Sequence, residues 1–227
     1  MTPIIGGAKV LELACGSGFY TYDLVRWGAQ SVVAVDISKQ MIEAAVHHPD
    51  RVEYGSSVQF VLSDVTETQV FAGAPFDLVI AGWLLNYAPD RQALSNMMHT
   101  VAMNLKPGGQ FIATVFRPIH DPESALSDGT VCFWWPENFI VKPLRSVADG
   151  MAVRCFANKP GGCSTFFDSF YLKRGVFDWA ATTAGLSIEY VDPVVPDQIA
   201  SDHPSPQMMR LVAGETSLYF NLLIGTR

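Results

Sequence analysis

Residues with chemistry to offer stand at the ends of apolar runs in this chain. Glu12 lies inside Val10-Leu-Glu-Leu13, where a carboxylate is costly to bury unless something pairs with it. Directly after it, Ala14-Cys-Gly-Ser-Gly18 supplies two positions without Cβ, which let backbone approach a ligand or take φ > 0. Helical spacing follows through Val25 and Trp27, so free backbone N–H groups face whatever lies across the turn. Asp36 closes a second apolar run, Asp64 follows a third, and Trp83, Asn86 and Tyr87 follow a fourth. A glycine turn with an acid after the next strand is the pattern that grips a nucleoside-bearing cofactor, the acid taking ribose hydroxyls. The third glycine of a dinucleotide-binding turn is absent: Thr21 stands there, with Phe19 and Tyr20 filling the spacer. Plainer readings exist for each residue. The turn can join strand to helix without a ligand, Asp36 can cap a helix with Ser38, and Asp64 can close a turn. Glu12 argues for the ligand, since a cationic or hydrogen-bonding cofactor beyond the strand end would partner it.

The elements that must position these residues alternate. Strands are expected at about Lys9–Leu13, Ser31–Val35, Val58–Leu62, Phe76–Ala81 and Gln110–Phe116. Helices are expected from Asp36 to about His47 and from Asp90 to Asn104, the latter with Leu94, Met97, Met98 and Val101 on one face. Lys106-Pro-Gly-Gly109 reads as a stop and turn. Strands alternating with helices imply a mostly parallel sheet, and ligands of such sheets lie beyond the carboxyl ends of the strands. Glu12–Gly18, Asp36, Asp64 and Ala81–Tyr87 then share one rim. After Arg117 the regularity breaks. Residues 117–150 hold prolines, glycines and the cluster Cys132-Phe-Trp-Trp-Pro136. Strand-like runs Met151–Phe156 and Ser164–Leu172 flank a hairpin signal at Asn158–Gly162. A helix at Arg174–Ala184 capped by Gly185, a strand at Ser187–Val191, an irregular Pro193–Pro206 and a last strand at Ser217–Ile224 complete the chain.

Composition excludes several classes. Of 227 residues 49% are hydrophobic and 16% charged, enough for a large core and against disorder. A net charge of −7 leaves no overall basic surface for nucleic acid. No apolar run is long enough for a membrane span and no signal peptide opens the chain, so the expected location is cytoplasmic. The 4 cysteines form no Cys-x-x-Cys pair, so no metal site is expected and all four read as free thiols.

Five stretches in one order, Val10-Leu-Glu-Leu-Ala-Cys-Gly-Ser-Gly18, Val35-Asp-Ile-Ser38 with Met41, Ser63-Asp-Val65, Phe76-Asp-Leu-Val79 and Leu105-Lys-Pro-Gly-Gly109, resemble the class I S-adenosylmethionine-dependent methyltransferases. Ala81-Gly-Trp-Leu-Leu-Asn-Tyr-Ala88 and Phe170-Tyr-Leu172 are similar to the small-molecule, toxoflavin-synthase type. The resemblance implies an α/β fold: a Rossmann-like, mostly parallel seven-stranded sheet with helices on both faces and a small β-hairpin insertion after the fifth strand. It implies one domain, with residues 9–116 as cofactor half, 117–172 as substrate-side insertion and 173–227 completing the sheet. It further implies S-adenosyl-L-methionine as cofactor, S-adenosyl-L-homocysteine as product and a small-molecule acceptor, with aromatic and heteroaromatic compounds as candidates. Glu12 and the Ala14–Gly18 backbone, with Cys15 and Gly16, would hold the methionine part. Asp36 would take the ribose, Ile37 and Met41 the adenine face, Asp64 the adenine amino group with Val65 beside the ring, and Ala81 and Gly82 the sulfonium end. Relatives carry a helical segment before the first strand. Only a handful of residues stand there here, so either the chain is shortened or a partner, such as a second copy, covers that side. A cofactor-binding module without methyl transfer is the rival reading.

On the substrate side, Asn86 and Tyr87 are the candidates for orienting the acceptor in catalysis, and Trp83, Trp134 and Trp135 for walling it. Packing is the alternative for each. His120 and His203 lie in irregular segments, as a base or as surface residues.

Overall fold

The computed structural model describes residues 5–117, 119–126, 131–133, 139–157, 165–192 and 220–227. The first five strands are β1 (Lys9–Leu13), β2 (Ser31–Asp36), β3 (Val58–Leu62), β4 (Phe76–Gly82) and β5 (Leu105–Phe116). Between them run α1 (Thr21–Arg26), α2 (Lys39–Val46), α3 (Arg51–Tyr54) and α4 (Arg91–Asn104). After α5 (Pro122–Ala125) come β6 (Val131–Phe133), β7 (Phe139–Val147), β8 (Gly150–Ala157) and β9 (Thr165–Leu172). The chain ends with α6 (Arg174–Thr183), β10 (Ser187–Val191) and β11 (Phe220–Thr226).

A seven-stranded sheet has the order β10-β11-β5-β4-β1-β2-β3. The pairs among β1 to β5 are parallel, and β11 runs antiparallel to both β5 and β10. β1 lies inside the sheet between β4 and β2, and Val10, Leu11 and Leu13 are all fully buried, as a strand covered on both faces requires. Alternation along the strands sends successive residues to opposite cores. Leu11, Leu13, Val79 and Ala81 meet Leu94, Met97, Met98 and Val101 of α4 and Val176, Phe177 and Ala180 of α6. Val10, Val32, Ala34 and Leu78 meet Tyr22 and Leu24 of α1. Each fully buried side chain of this size contributes roughly 1.5–3 kcal/mol. The Lys106–Gly109 bend falls inside β5, where pairing with β4 shifts register between Phe76 and Leu78.

The insertion is larger than a hairpin. β6, β7, β8 and β9 form a four-stranded antiparallel sheet in that order. β6 and β7 fall in the stretch read as irregular. Pro143 and the charges of Lys142 and Arg145 disguise β7, and the pairing with β8 shifts between Pro143 and Arg145, which accommodates the proline. Gly150 is required where β8 meets β9, since a Cβ there would lie 2.1 Å from the Tyr171 carbonyl oxygen. The sheet buries Val141, Met151, Val153, Cys155 and Tyr171 against Phe116 and Leu126, with Trp83 packed on the cluster. Directed bonds fix it to the rest. Ser169 Oγ donates to the Asn86 carbonyl at 2.8 Å, and the Tyr171 hydroxyl donates to the Arg117 carbonyl at 2.6 Å. Arg91 donates to Asp149 from its backbone N at 3.0 Å and from Nε at 2.9 Å. That guanidinium holds the buried Asp149 carboxyl below the usual carboxylate range.

Candidate functional site

A cavity of about 540 Å³ opens at the carboxyl ends of β1, β2 and β4, where an open parallel sheet places ligands. Ala14, Gly16, Asp36, Ile37, Met41, Asp64, Val65, Gly82, Trp83 and Tyr87 line it, as the shared rim required. Ser63, Thr66, Leu84 and Met97 also line it. The sequence reading placed Met97 in the core face of its helix, and it belongs to both, fully buried below and forming cavity wall above. Among the described residues, none that lines it is basic.

The glycine turn is held open by its backbone. Ala14, Gly16 and Gly18 have φ of 59°, 55° and 88°. Gly18 also has no room for a side chain, since a Cβ would lie 3.3 Å from both Ala45 and Tyr22. Cys15 N donates to the Val35 carbonyl at 2.9 Å, tying the turn to the end of β2. Asp36 strengthens that tie: Oδ2 accepts from Gly16 N and Oδ1 from Ser38 N, both at 2.8 Å. Ser38, not Asp36, caps α2, accepting from Met41 N at 3.3 Å. Asp64 uses Oδ1 alone within its turn, accepting Thr66 N at 2.8 Å and Thr66 Oγ1 at 2.7 Å.

Glu12 lies beneath the turn, 2% exposed, and its partner is inside the chain. Thr21 Oγ1 donates to Glu12 Oε2 at 2.5 Å. The sequence reading treated Thr21 only as the place of a missing glycine; the signal available was a hydroxyl at the first turn of the helix that follows a buried acid. Burial pushes the Glu12 carboxyl up to about 7, against the Thr21 bond and with the help of the Asp36 charge. Burial, then the charges of Glu12 and Asp36, push the Cys15 thiol up as well. Cys15 is a buried free thiol under the turn, as is Cys155 under the second sheet. Ala81 is likewise buried below the cavity floor.

At the end of β4, Trp83 turns the chain with φ of 63° and packs edge-on against Phe116, ring centres 5.8 Å apart. Tyr87 stacks on Phe167 of β9 at 6.1 Å, and burial raises its hydroxyl pKa. Asn86 departs from the expectation that it faces an acceptor. It is 2% exposed, and its Oδ1 accepts Phe116 N at 3.3 Å. The short helical turn Leu85–Tyr87 points its side chain inward, so it braces the loop and does not line the cavity. Its Nδ2 has no partner among the described residues. His120 is exposed and does not line the cavity. Trp134, Trp135, His203 and the Asn158–Gly162 hairpin turn lie outside the described residues. Among the described residues no group of three His, Cys, Asp or Glu is set to hold a metal ion, and no helix is long and apolar enough to cross a membrane.

The described lining suits a ligand with hydroxyl and amino donors at one end and a flat apolar face in the middle. The sheet order, with one reversed strand beside its edge and the acid-rimmed cavity over the ends of the parallel strands, defines the fold of class I methyltransferases. Residues 10–109 match the family described as a methyltransferase domain. Over that segment, less than half of its length, the chain is similar to methyltransferase domains. A ubiquinone biosynthesis O-methyltransferase of Xylella fastidiosa is 32% identical over 116 residues, 51% of this chain and 45% of that protein. The protein of the same description from Xanthomonas euvesicatoria is 32% identical over 114 residues, 50% of this chain and 45% of its own. The matched part thus spans less than half the length of those relatives. Among solved structures, an S-adenosylmethionine-dependent methyltransferase from Mesorhizobium loti superposes with a TM-score of 0.65 at 19% identity, covering 100% of this chain and 94% of that one. An S-adenosylmethionine-bound amino pentose methyltransferase from Micromonospora echinaspora gives 0.63 at 16% identity, over 97% of this chain and 84% of that one. At such identities the likeness speaks for the fold alone.

Proposed function

We propose that this chain transfers the methyl group of S-adenosylmethionine to a small-molecule acceptor. The observation that carries the reading is the convergence of the glycine turn, Asp36 and Asp64 on one cavity within the segment that matches the methyltransferase domain. The Ala14–Gly18 backbone, stiffened from below by Glu12 and Thr21, would hold the methionine part. Asp36 would receive the ribose hydroxyls: each of its oxygens already accepts one backbone N–H and has a further lone pair. Asp64 would offer the adenine amino group Oδ2, the oxygen its turn does not use. Ile37, Met41 and Val65 would enclose the adenine, and Gly82, above Ala81, would border the sulfonium end.

The cofactor, when bound, supplies a methyl already activated on a positive sulfur. What remains for the protein is alignment and exclusion of water. We place the acceptor between the Ala81–Tyr87 loop and the four-stranded sheet, so that residues 9–116 handle the cofactor, 117–172 the acceptor, and 173–227 complete the sheet. Trp83 and Tyr87 would wall the acceptor, with Trp134 and Trp135 as its roof, and Asn86 would act by positioning the loop that carries Tyr87. The aromatic rings of Trp83 and Tyr87 on the cavity wall favour a planar acceptor. The O-methyltransferases among the relatives support a hydroxyl as the methylated group. A second copy or another chain covering the open side near the exposed Phe19 belongs to the same proposal.

The test pairs calorimetry with methyl-labelled S-adenosylmethionine and a panel of phenols, N-heteroaromatics and amino sugars. The expected result is binding of both adenosyl compounds, no binding of NAD, and label transfer to at least one planar acceptor. Transfer that requires a second protein would move the reading to a cofactor-binding subunit, and NAD binding alone would overturn it.

A further inference from the structure

Tyr20 bridges the two elements that flank the proposed reacting centre. It follows the glycine turn at the entry to α1, and its ring lies against Gly82 at the end of β4. A Cβ built on Gly82 would stand 3.5 Å from Tyr20 Cε2. Phe19 steadies the ring edge-on, centres 4.8 Å apart at 86°. Half-exposed at 41%, Tyr20 is open on one side, and Gly82 beside it is cavity wall. Glu12, buried near the end of β1, is close enough for its charge to be felt at the Tyr20 hydroxyl. Burial and that charge both raise the hydroxyl pKa, so at neutral pH the ring is a neutral phenol.

The electrostatics of this corner run in one direction. An aromatic ring attracts a cation to its π-system. Glu12, ionised in part near neutral pH, adds negative charge close by, Asp36 stands at the end of the next strand, and none of the described lining residues is a basic side chain in opposition. On the proposed reading, which this inference rests on, the glycine turn holds the methionine part and Gly82 borders the sulfonium. The fixed positive charge of the cofactor then falls where Tyr20 joins those two elements. We propose that Tyr20, backed by Glu12, is the charge-recognising residue of the site: it favours the sulfonium of S-adenosylmethionine over the neutral thioether of S-adenosylhomocysteine. The preference would help the product leave, because the attraction ends when the methyl group does.

Calorimetry on the full chain tests this without an acceptor. The probes are S-adenosylmethionine, S-adenosylhomocysteine and sinefungin, which carries an ammonium group near the position of the sulfonium. Tyr20→Leu is expected to weaken the two cationic probes by about five- to thirty-fold and the thioether by no more than about two-fold, the range a partly desolvated cation–π contact gives. Tyr20→Phe, which keeps the ring, is expected to keep the preference. Tyr20→Met repeats the removal of the ring with a longer side chain if the leucine variant folds poorly. A cation-to-thioether ratio unchanged in both ring-removing variants would overturn the proposal, as would an equal loss for all three probes, the mark of packing alone. Binding of none of the probes by the wild type would instead remove the cofactor reading beneath it.

Discussion

The half of the molecule from β1 to β5 and the four-stranded sheet that follows are fixed by different means. In the first, two apolar cores grip both faces of the parallel sheet, and most cavity residues follow a strand end, with Met41 of α2 and Met97 of α4 added from the helices. Register therefore sets the site: Leu13 pairs with Val35 on one side and Ala81 on the other, which aligns the glycine turn with Asp36 and Gly82. In the second, a smaller cluster supports the sheet, and bonds from Ser169, Tyr171 and Asp149 to Asn86, Arg117 and Arg91 hold it in place. The family match stops at Gly109, before the second region begins. A cofactor pocket built on register cannot change one residue at a time. A sheet mounted on polar anchors, which on the proposed reading walls the acceptor, can be re-cut while the cofactor end stays as it is.

The strongest challenge to this contrast is removal of a core side chain from the first region. Leu94→Ala should cost about 2–5 kcal/mol and take the cofactor site with it. Chemical denaturation with cofactor titration would check this, and loss of the second sheet alone would contradict it. Glu12 comes next. Its carboxyl is raised from 4.5 to about 7 in the folded chain, so between those values the unfolded state sheds a proton that the folded state keeps. Stability contributed by this group is therefore full below pH 4.5 and falls until about pH 7, by roughly 3 kcal/mol. Glu12→Gln, neutral throughout, should raise the melting temperature at pH 8 and change it little at pH 4.5. An equal shift at both values would place the cause elsewhere.

Asp36→Ala should weaken S-adenosylmethionine binding by about 1.5–3 kcal/mol, the worth of charge-assisted hydrogen bonds to the ribose. Part of any loss will be structural, because Gly16 N and Ser38 N both donate to this side chain. Asp36→Asn removes the charge and keeps one of the two acceptor oxygens, so one of the two backbone bonds survives where Asp36→Ala loses both; normal binding by both variants would end the ribose assignment. The smallest effect is expected from Ser169→Ala, about 0.5–1.5 kcal/mol of stability. Its sharper readout is kinetic: a raised acceptor KM with unchanged cofactor Kd. A matching fall in cofactor affinity would mean that the two regions are not independent.

How much of this was legible in the sequence follows the same division. The strand ends, the parallel sheet and the rim shared by Gly16, Asp36, Asp64 and Gly82 follow from local periodicity and one topological rule. β7 was hidden because Pro143 argues against a strand until a neighbour with shifted register is there to receive it. Thr21 was hidden because its meaning depends on a carboxylate across the turn rather than on its own neighbours. Asn86 was placed in the right loop and given the wrong direction. A residue after a strand end can face either way, and the helical turn at Leu85–Tyr87 decides it.

β5 has consequences for the order of assembly. Its outer edge is closed by β11, with Phe116 opposite Phe220 and Gln110 opposite Thr226. Arg227 completes the closure, donating from Nη1 to the Leu105 carbonyl at 2.6 Å. Strands β1 to β4 find their parallel neighbours within the first part of the chain, while β5 waits for a partner separated from it by the whole four-stranded sheet and α6. Until that strand arrives, Phe111-Ile-Ala-Thr-Val-Phe116 is an apolar ribbon with one unpaired row of backbone groups, the type of edge that recruits a second chain. Long-range closure of this kind is slow. The concentration at which the protein refolds, more than its final stability, should then decide between recovery and aggregation.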